Sequence, residues 1–387
     1  MRFPHKSQLE MPVIGLESEF KVFVDDEESL PEKIWRTPAK LVGRPLLKRT
    51  NKSLQLPTGG ALYFDGGVIE VVTPVIEVAR QCTARAVRSL WEQIAFVRRQ
   101  LDRWEAQERR SVRLQAFSCH VNISFELPRQ ERGRNRTIQK LALLLTHLLP
   151  VPVIVTGLNR RSTGIGVRPR RERIEVTSDV TPDPGLMAAT VALIVGVVRE
   201  VITWPSYLLG ELDARGVPRP EGVTPGRHPA RKGWVIRDFH LPQNPFTGDP
   251  DAANWRTTDD RTMSLRAMAR ETVMIFRDAI RRVSDPFSFR LLMAIVRGQT
   301  PSLLDLDDRP AAYDDVGRSM VVLHSEALTR SAYEKIFLKL GGRRRLRLDR
   351  ELLTPVRVKG WYHSVFRAPD GNERMLSIDQ LLGHHWS

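Results

Sequence analysis

Cysteine is scarce: the chain of 387 residues has two, Cys82 and Cys119. Two thiols make no disulfide framework and no zinc-knuckle spacing, so a reducing cytoplasm is the expected compartment. Long hydrophobic runs are lacking as well. The longest, Leu186 to Val198, reads as too short to span a bilayer and suits a buried helix, so no membrane is expected as a partner. The opening stretch MRFPHKSQLEMP contains no apolar segment of the kind a signal peptide needs. There is no low-complexity tract and no repeat at solenoid spacing. Acid is in deficit, with 45 Asp and Glu against 60 Lys and Arg, a formal net charge of +15.

What is present is otherwise ordinary: 41% apolar and 27% charged residues, in a chain long enough for one large domain and a smaller one with a real core. The basic excess is compatible with nucleic acid, an acidic partner or a phosphorylated ligand, and equally with solvated surface. Its densest runs are Arg168 to Arg173 and Gly342 to Arg347. No helix-turn-helix, finger or RNA-binding signature accompanies them, so sequence-specific nucleic-acid binding is not expected.

Four short stretches carry candidate chemistry. In the first, Gly15-Leu-Glu-Ser-Glu-Phe20, side chains alternate across a strand. Glu17 and Glu19 share one face with Gly15 and Lys21, while Leu16, Phe20 and Val22 line the other. Adjacent carboxylates repel, and a divalent cation with oxygen ligands, magnesium or manganese, removes the repulsion. An edge strand with solvated acids gives the same six residues and is the commoner case. In the second, Leu56 to Pro74, Gly59-Gly60 leads into a strand Ala61 to Asp65. Gly66-Gly67 bends it, and Val68 to Thr73 continues as strand. Tyr63 and Asp65 share a face, and Glu70 is the one charge in its β-branched run. A Gly-Gly hairpin explains the glycines but not that isolated acid. In the third, Phe117 to Leu127, alternation puts Ser118, His120, Asn122 and Ser124 on one face and Cys119, Val121, Ile123 and Phe125 on the other. Taken alone, His120 is more often an ordinary strand histidine. In the fourth, Arg168 to Asp183, Arg173 and Glu175 stand two apart on a strand ending near Val176, after arginines that can neutralise phosphates or simply form a basic loop.

The order of these motifs resembles that of the carboxylate–amine ligases of the glutamine synthetase superfamily, nearest to the ligase and the deamidase (depupylase) of the prokaryotic ubiquitin-like protein Pup. Gly15 to Phe20 matches the first strand of that family. The stretches TGGALYFD and IEVVTP hold the places of its next two segments, Cys119-His-Val-Asn122 that of its Cys-His-Glu-Asn segment, and Arg173-Ile-Glu-Val176 that of its Arg-x-His-Val strand. The similarity covers roughly residues 13 to 205 and extends weakly to Trp234–Pro245. This chain departs from the family in a shorter span between the Cys-His and Arg-x-Glu motifs, in lacking a His-Pro after Asp65, and in Glu175 where the family often has His. The short stretch from Lys21 to Leu62 leaves little room for a long loop typical of the deamidase branch.

The resemblance implies a glutamine-synthetase-like α+β fold: an antiparallel sheet cradling the active site, helices packed behind it, and a small C-terminal region. It implies a catalytic domain over 1–300, with a loop-rich segment at about 205–260, and a small C-terminal region at 301–387. It implies ATP and Mg²⁺ (or Mn²⁺) as cofactors. Glu17, Glu19, Tyr63, Glu70, His120 and Glu175 would contact metal. Asp65 and Arg173 would be catalytic, and Asn122, Arg170, Arg171 and Arg173 would meet the nucleotide. The activity implied is amide or isopeptide formation from a glutamate-like carboxylate, with a small acidic or disordered protein ending in Glu or Gln as one partner and a protein lysine or small amine as acceptor. Hydrolysis of such a bond is the alternative within this chemistry. An inactive member acting as a basic binding protein is the alternative outside it.

The remainder reads as scaffold. Thr83 to Arg109 is an amphipathic helix with Val87, Leu90, Trp91, Ile94, Val97, Leu101 and Trp104 on one stripe. Further helices are expected over Ile138 to Leu149, ended by Pro150, over about Pro184 to Ile202, over Met263 to Val283, and from about Phe287. Gly210 to Gly233 reads as a loop or linker, and the chain from Leu346 as short strands.

Overall fold

The computed structural model describes residues 9–49, 53–127, 133–228, 232–306, 315–317 and 329–387. The opening residues 1–8, and parts of the expected loop at 210–233 and of the C-terminal region at 301–387, lie outside the described residues. The chain is α+β, and it divides into two compact units. The first comprises Met1–Val78, Arg85–Phe117 and Ala312–Ser387; the second comprises Ala79–Ala84 and Ser118–Ala311.

In the first unit the strand Val13–Val24 pairs antiparallel with Val68–Val72, and that strand pairs with Ala61–Asp65. Ser53–Gln55 and Leu47–Lys48 extend the sheet. The hairpin between Asp65 and Val68 has only Gly66 and Gly67 in its loop, with φ of 64° and 94°. Positive φ at both central residues is what a tight two-residue turn requires, and glycine adopts it without a Cβ clash. Leu16, Phe20, Val22, Leu62, Phe64, Ile69 and Val71 are buried, as expected of the face turned away from the acids. The helix Cys82–Glu108 buries Val87, Leu90, Ile94, Val97 and Leu101. Trp35 packs between Phe64 and Trp104, with ring centroids at 6.2 and 5.4 Å, which sets this helix behind the hairpin.

The C-terminal residues do not form a core of their own. Tyr333, Phe337, Leu346, Leu353, Trp361 and Phe366 share one apolar cluster with Leu9, Val13 and Val75. The strand Glu351–Lys359 joins the same sheet through the parallel pair Arg357 and Lys48, and His363–Arg367 and Glu373–Ser377 continue it. The second unit ends at Ala311, and the described residues after it are layered onto the N-terminal strands. A helix that the sequence reading missed, Ala332–Gly341, is tied in by Glu334, which is fully buried and accepts from Arg88 at 2.6 and 2.8 Å and from Arg330 at 2.8 Å.

In the second unit the strand Arg173–Ser178 pairs antiparallel with the later half of Val112–Ser124 and with Ile165–Pro169. Trp234–Ile236 and Gly226–Arg227 follow. The helix Pro184–Ile202, begun by an Asp183 cap, has the expected bounds. By length and composition it could cross a membrane, unlike the shorter run read from the sequence, but 78% of its apolar window is buried inside the structure. Gly196 lets it pass closely over the helix Arg277–Val283, since a Cβ there would stand 2.6 Å from the Ile280 Cα. Two expected helices differ. Pro150 does not only end Ile138–Leu148; it opens a further helix, Pro150–Gly157, bent by 57° from the first, because proline suits a first helical position. The expected helix Met263 to Val283 is two, Leu265–Ile275 and Arg277–Val283, broken at Phe276, whose ring stacks on Trp204 at 5.8 Å.

Candidate functional site

The first unit gathers acids on one sheet face. Strand register puts Glu19 directly opposite Glu70, and Glu70 directly opposite Tyr63. One pleat along, Glu17, Val72 and Ala61 form the next row; one pleat the other way, Lys21, Val68 and Asp65 form another. Residues directly opposite have Cβ atoms about 4.5–5.5 Å apart and project to the same side. Glu17, Glu19, Tyr63, Asp65 and Glu70 therefore make one lattice, as expected from their alternation. Glu70 is 9% exposed, and the other four are half-buried. Lys21 lies on this face, but its ammonium meets Glu28 at 3.0 Å.

Like charges on one partly desolvated face repel, and the lattice provides no spacing between Glu19 and Glu70 that would relieve it. Carboxylate and phenol oxygens are hard donors, which suits magnesium or manganese rather than a soft metal. The donor set thus fits the divalent cation that the motifs imply. Asp65 stands at the rim of the lattice, beside the tight turn.

The second unit gathers a different set. Asn122, Glu175 and Arg168 form one row across three strands; His120 and Thr177 form the row on one side of it, and Ser124 and Arg173 the row on the other. Glu175 is 1% exposed and is clasped by two guanidiniums. Arg170 contacts it through Nε at 2.8 Å and through a terminal nitrogen at 3.1 Å, and Arg168 pairs with the Oε1 that this terminal nitrogen also meets. Arg168 also stands 3.2 Å from the His120 Nε2. Arginine has only donors, so that nitrogen accepts and the proton of a neutral ring sits on Nδ1. Arg173 donates through Nε to the Asn122 Oδ1 at 2.7 Å. The Asn122 Nδ2 is left buried with no hydrogen-bond partner. A buried donor of this kind calls for a ligand oxygen or a water.

His120, Asn122, Arg173 and Glu175 thus share a face, with Arg170 at its edge. Arg171 does not join them: it is exposed in the turn between the strands. Glu175, expected as a metal contact, serves here as the counter-charge to two arginines. Arg168 was missed as a site residue because it reads as the first member of a basic run. The signal was the alternation of Ile165-Gly-Val-Arg168, which puts Gly166 and Arg168 on one face and two buried aliphatics on the other.

No family model matches the chain, and no curated protein does. Among solved structures, the chain is similar to one in the crystal structure of the complex between the prokaryotic ubiquitin-like protein Pup and its ligase PafA, at 13% identity and a TM-score of 0.49, over 98% of this chain and 91% of that one.

Proposed function

We propose that the protein is an ATP- and divalent-metal-dependent carboxylate–amine ligase of the cytoplasm. The observation that carries this reading is the register that places Glu19 opposite Glu70, with Glu17, Tyr63 and Asp65 on the same face. The order of the sequence motifs supports it. In this reading Glu17, Glu19, Glu70 and Tyr63 hold the cation. ATP, when bound with metal, supplies the activation of a carboxylate by phosphoryl transfer and makes its oxygen a leaving group. Arg173 offsets charge on the phosphate oxygens, and the Asn122 amide donates to one of them. Asp65, at the rim of the acid lattice, takes the proton of the attacking amine. The carboxylate is glutamate-like, at the end of a small acidic protein, and the acceptor is a protein lysine or a small amine.

The test is ADP release and amide formation with a panel of glutamate-ending peptides and amines. Asp65→Asn is nearly isosteric and removes only charge and basicity. It should still bind Mg²⁺-ATP but lose amide formation by roughly 10²–10⁴-fold, the usual effect of removing a general base. Turnover equal to wild type would take Asp65 out of the mechanism. Hydrolysis of a preformed amide without ATP would replace the ligase reading with the reverse chemistry.

A further inference from the structure

The second unit also holds a cavity of about 700 Å³ away from its sheet face. Five guanidiniums line it: Arg80, Arg277, Arg281 and Arg282, and Arg290 from the helix Pro286–Val296. The acids on its wall are Asp278 and Asp285. Asp285 is already engaged as a helix cap, accepting from the backbone N–H groups of Phe287 and Ser288 at 2.9 and 3.1 Å. Arg282 is held by Glu200 at 2.7 Å. Among the described residues no carboxylate pairs with Arg277, Arg281 or Arg290. Elsewhere in the same unit exposed arginines are matched: Arg261 meets Asp259 at 2.7 Å and Glu271 at 2.9 Å, and Arg256 meets Glu221 and Asp260, each at 2.9 Å.

Two observations separate this cavity from ordinary basic surface. Arg277 and Arg281 stand one turn apart on the same helix face, where like charges are mutually destabilising. The Ser284 hydroxyl, on a residue only 5% exposed, is buried at the cavity wall with no hydrogen-bond partner. A positive field and an unsatisfied hydroxyl on one concave surface ask for an anion with several oxygens. The volume is that of a small-molecule site, and the half-buried Phe289 adds a ring face to the lining.

We propose that this cavity is a second ligand site, for a short phosphate chain, either inorganic or borne by a nucleotide. Guanidinium forks match phosphate oxygens in pairs, and the Ser284 hydroxyl donates to one more. The proposal does not rest on the ligase reading, because none of these residues belongs to the sheet faces.

The experiment is calorimetric titration of the full chain with inorganic tripolyphosphate, in EDTA and near-physiological salt, so that metal-dependent binding elsewhere is silent. The expected result is saturable binding at one site, weakened about tenfold or more in Arg277→Gln/Arg281→Gln and by a smaller factor in Ser284→Ala. Arg343→Gln/Arg345→Gln removes the same charge from another basic cavity and should leave binding unchanged. ATP serves as the second probe. Tighter binding of ATP than of tripolyphosphate, with the difference lost in Phe289→Leu, identifies the nucleotide as source; equal binding identifies the inorganic chain. If the double arginine variant folds poorly by circular dichroism, Arg290→Gln and Ser284→Ala carry the decision. The proposal is overturned if tripolyphosphate does not saturate, if the Arg343/Arg345 variant loses as much, if citrate binds as tightly, or if only an oligonucleotide binds.

Discussion

The two sheet faces use charge in opposite ways. On the first unit, register sets Glu19 beside Glu70 with Glu17 one pleat away, so like charges are gathered. On the second, register sets Arg168 beside Glu175, and Arg170 closes on the same carboxylate, so opposite charges are matched in a nearly dry interior. A face of the second kind is neutralised by its own side chains, and its remaining capacity lies in the donors that the acid does not occupy. A face of the first kind is, in the proposed reading, completed by a cation from solution. The same pairing geometry thus makes a structural clasp in one unit and a ligand-seeking surface in the other.

The largest expected effect is on the clasp. Glu175→Ala leaves the Arg168 guanidinium, 5% exposed, without its counter-charge, and should cost about 3–5 kcal/mol in denaturant unfolding. Glu17→Ala, measured alongside in chelator, should cost less, since Glu17 is only half-buried whereas Glu175 is 1% exposed. Equal losses in the two variants would erase the distinction between the faces. The next effect is metal-dependent. Mg²⁺ at roughly a hundred times its dissociation constant should raise stability by about 2.7 kcal/mol. That gain should vanish in Glu70→Ala and persist in Arg173→Ala. A gain that survives Glu70→Ala would place the cation elsewhere.

The smallest effect is a control on pH. Burial, and then the charge of Arg219, hold His147 below the ordinary histidine range. The unfolded chain therefore takes up this proton first, and stability falls as pH drops from about 6.5 through the folded value. His147→Leu should lose less stability than wild type between pH 7.5 and 5.5 in urea unfolding. An identical pH dependence would remove His147 from the acid sensitivity.

The acid face was legible in the sequence because strand alternation alone assigns faces: Glu17 with Glu19, and Tyr63 with Asp65. The hairpin strand Ala61–Asp65 was readable to the residue because glycine pairs bracket it. What alternation cannot supply is which strand lies beside which. The pairing of Arg168 with Glu175 depends on a cross-strand register that no local pattern encodes, so Arg168 read only as part of a run that could neutralise phosphates or form a basic loop. The same limit hid the parallel pairing of Arg357 with Lys48, which brings the C-terminal strands into the first sheet. The break at Phe276 was hidden for a related reason: an apolar stripe continues through it, and only the backbone, at φ −95° and ψ 11°, shows where the helix ends.

The Gly66-Gly67 turn sets a constraint on how this protein can vary. With two residues in the loop and strands paired up to Asp65 and Val68, the turn acts as the zero mark from which every cross-strand partner is counted. Glu70 meets Tyr63 because each is two residues from the pair that closes the turn, Asp65 and Val68. If an inserted residue shifted the strand by one place, Glu70 would turn to the side of Phe64 and Ile69, and an aliphatic would take its place among the acids. Length at this loop therefore matters to the acid face as much as any charged position does, although neither glycine carries a functional group. One residue inserted between Gly66 and Gly67 should therefore dismantle the acid face with every one of its carboxylates still in the sequence.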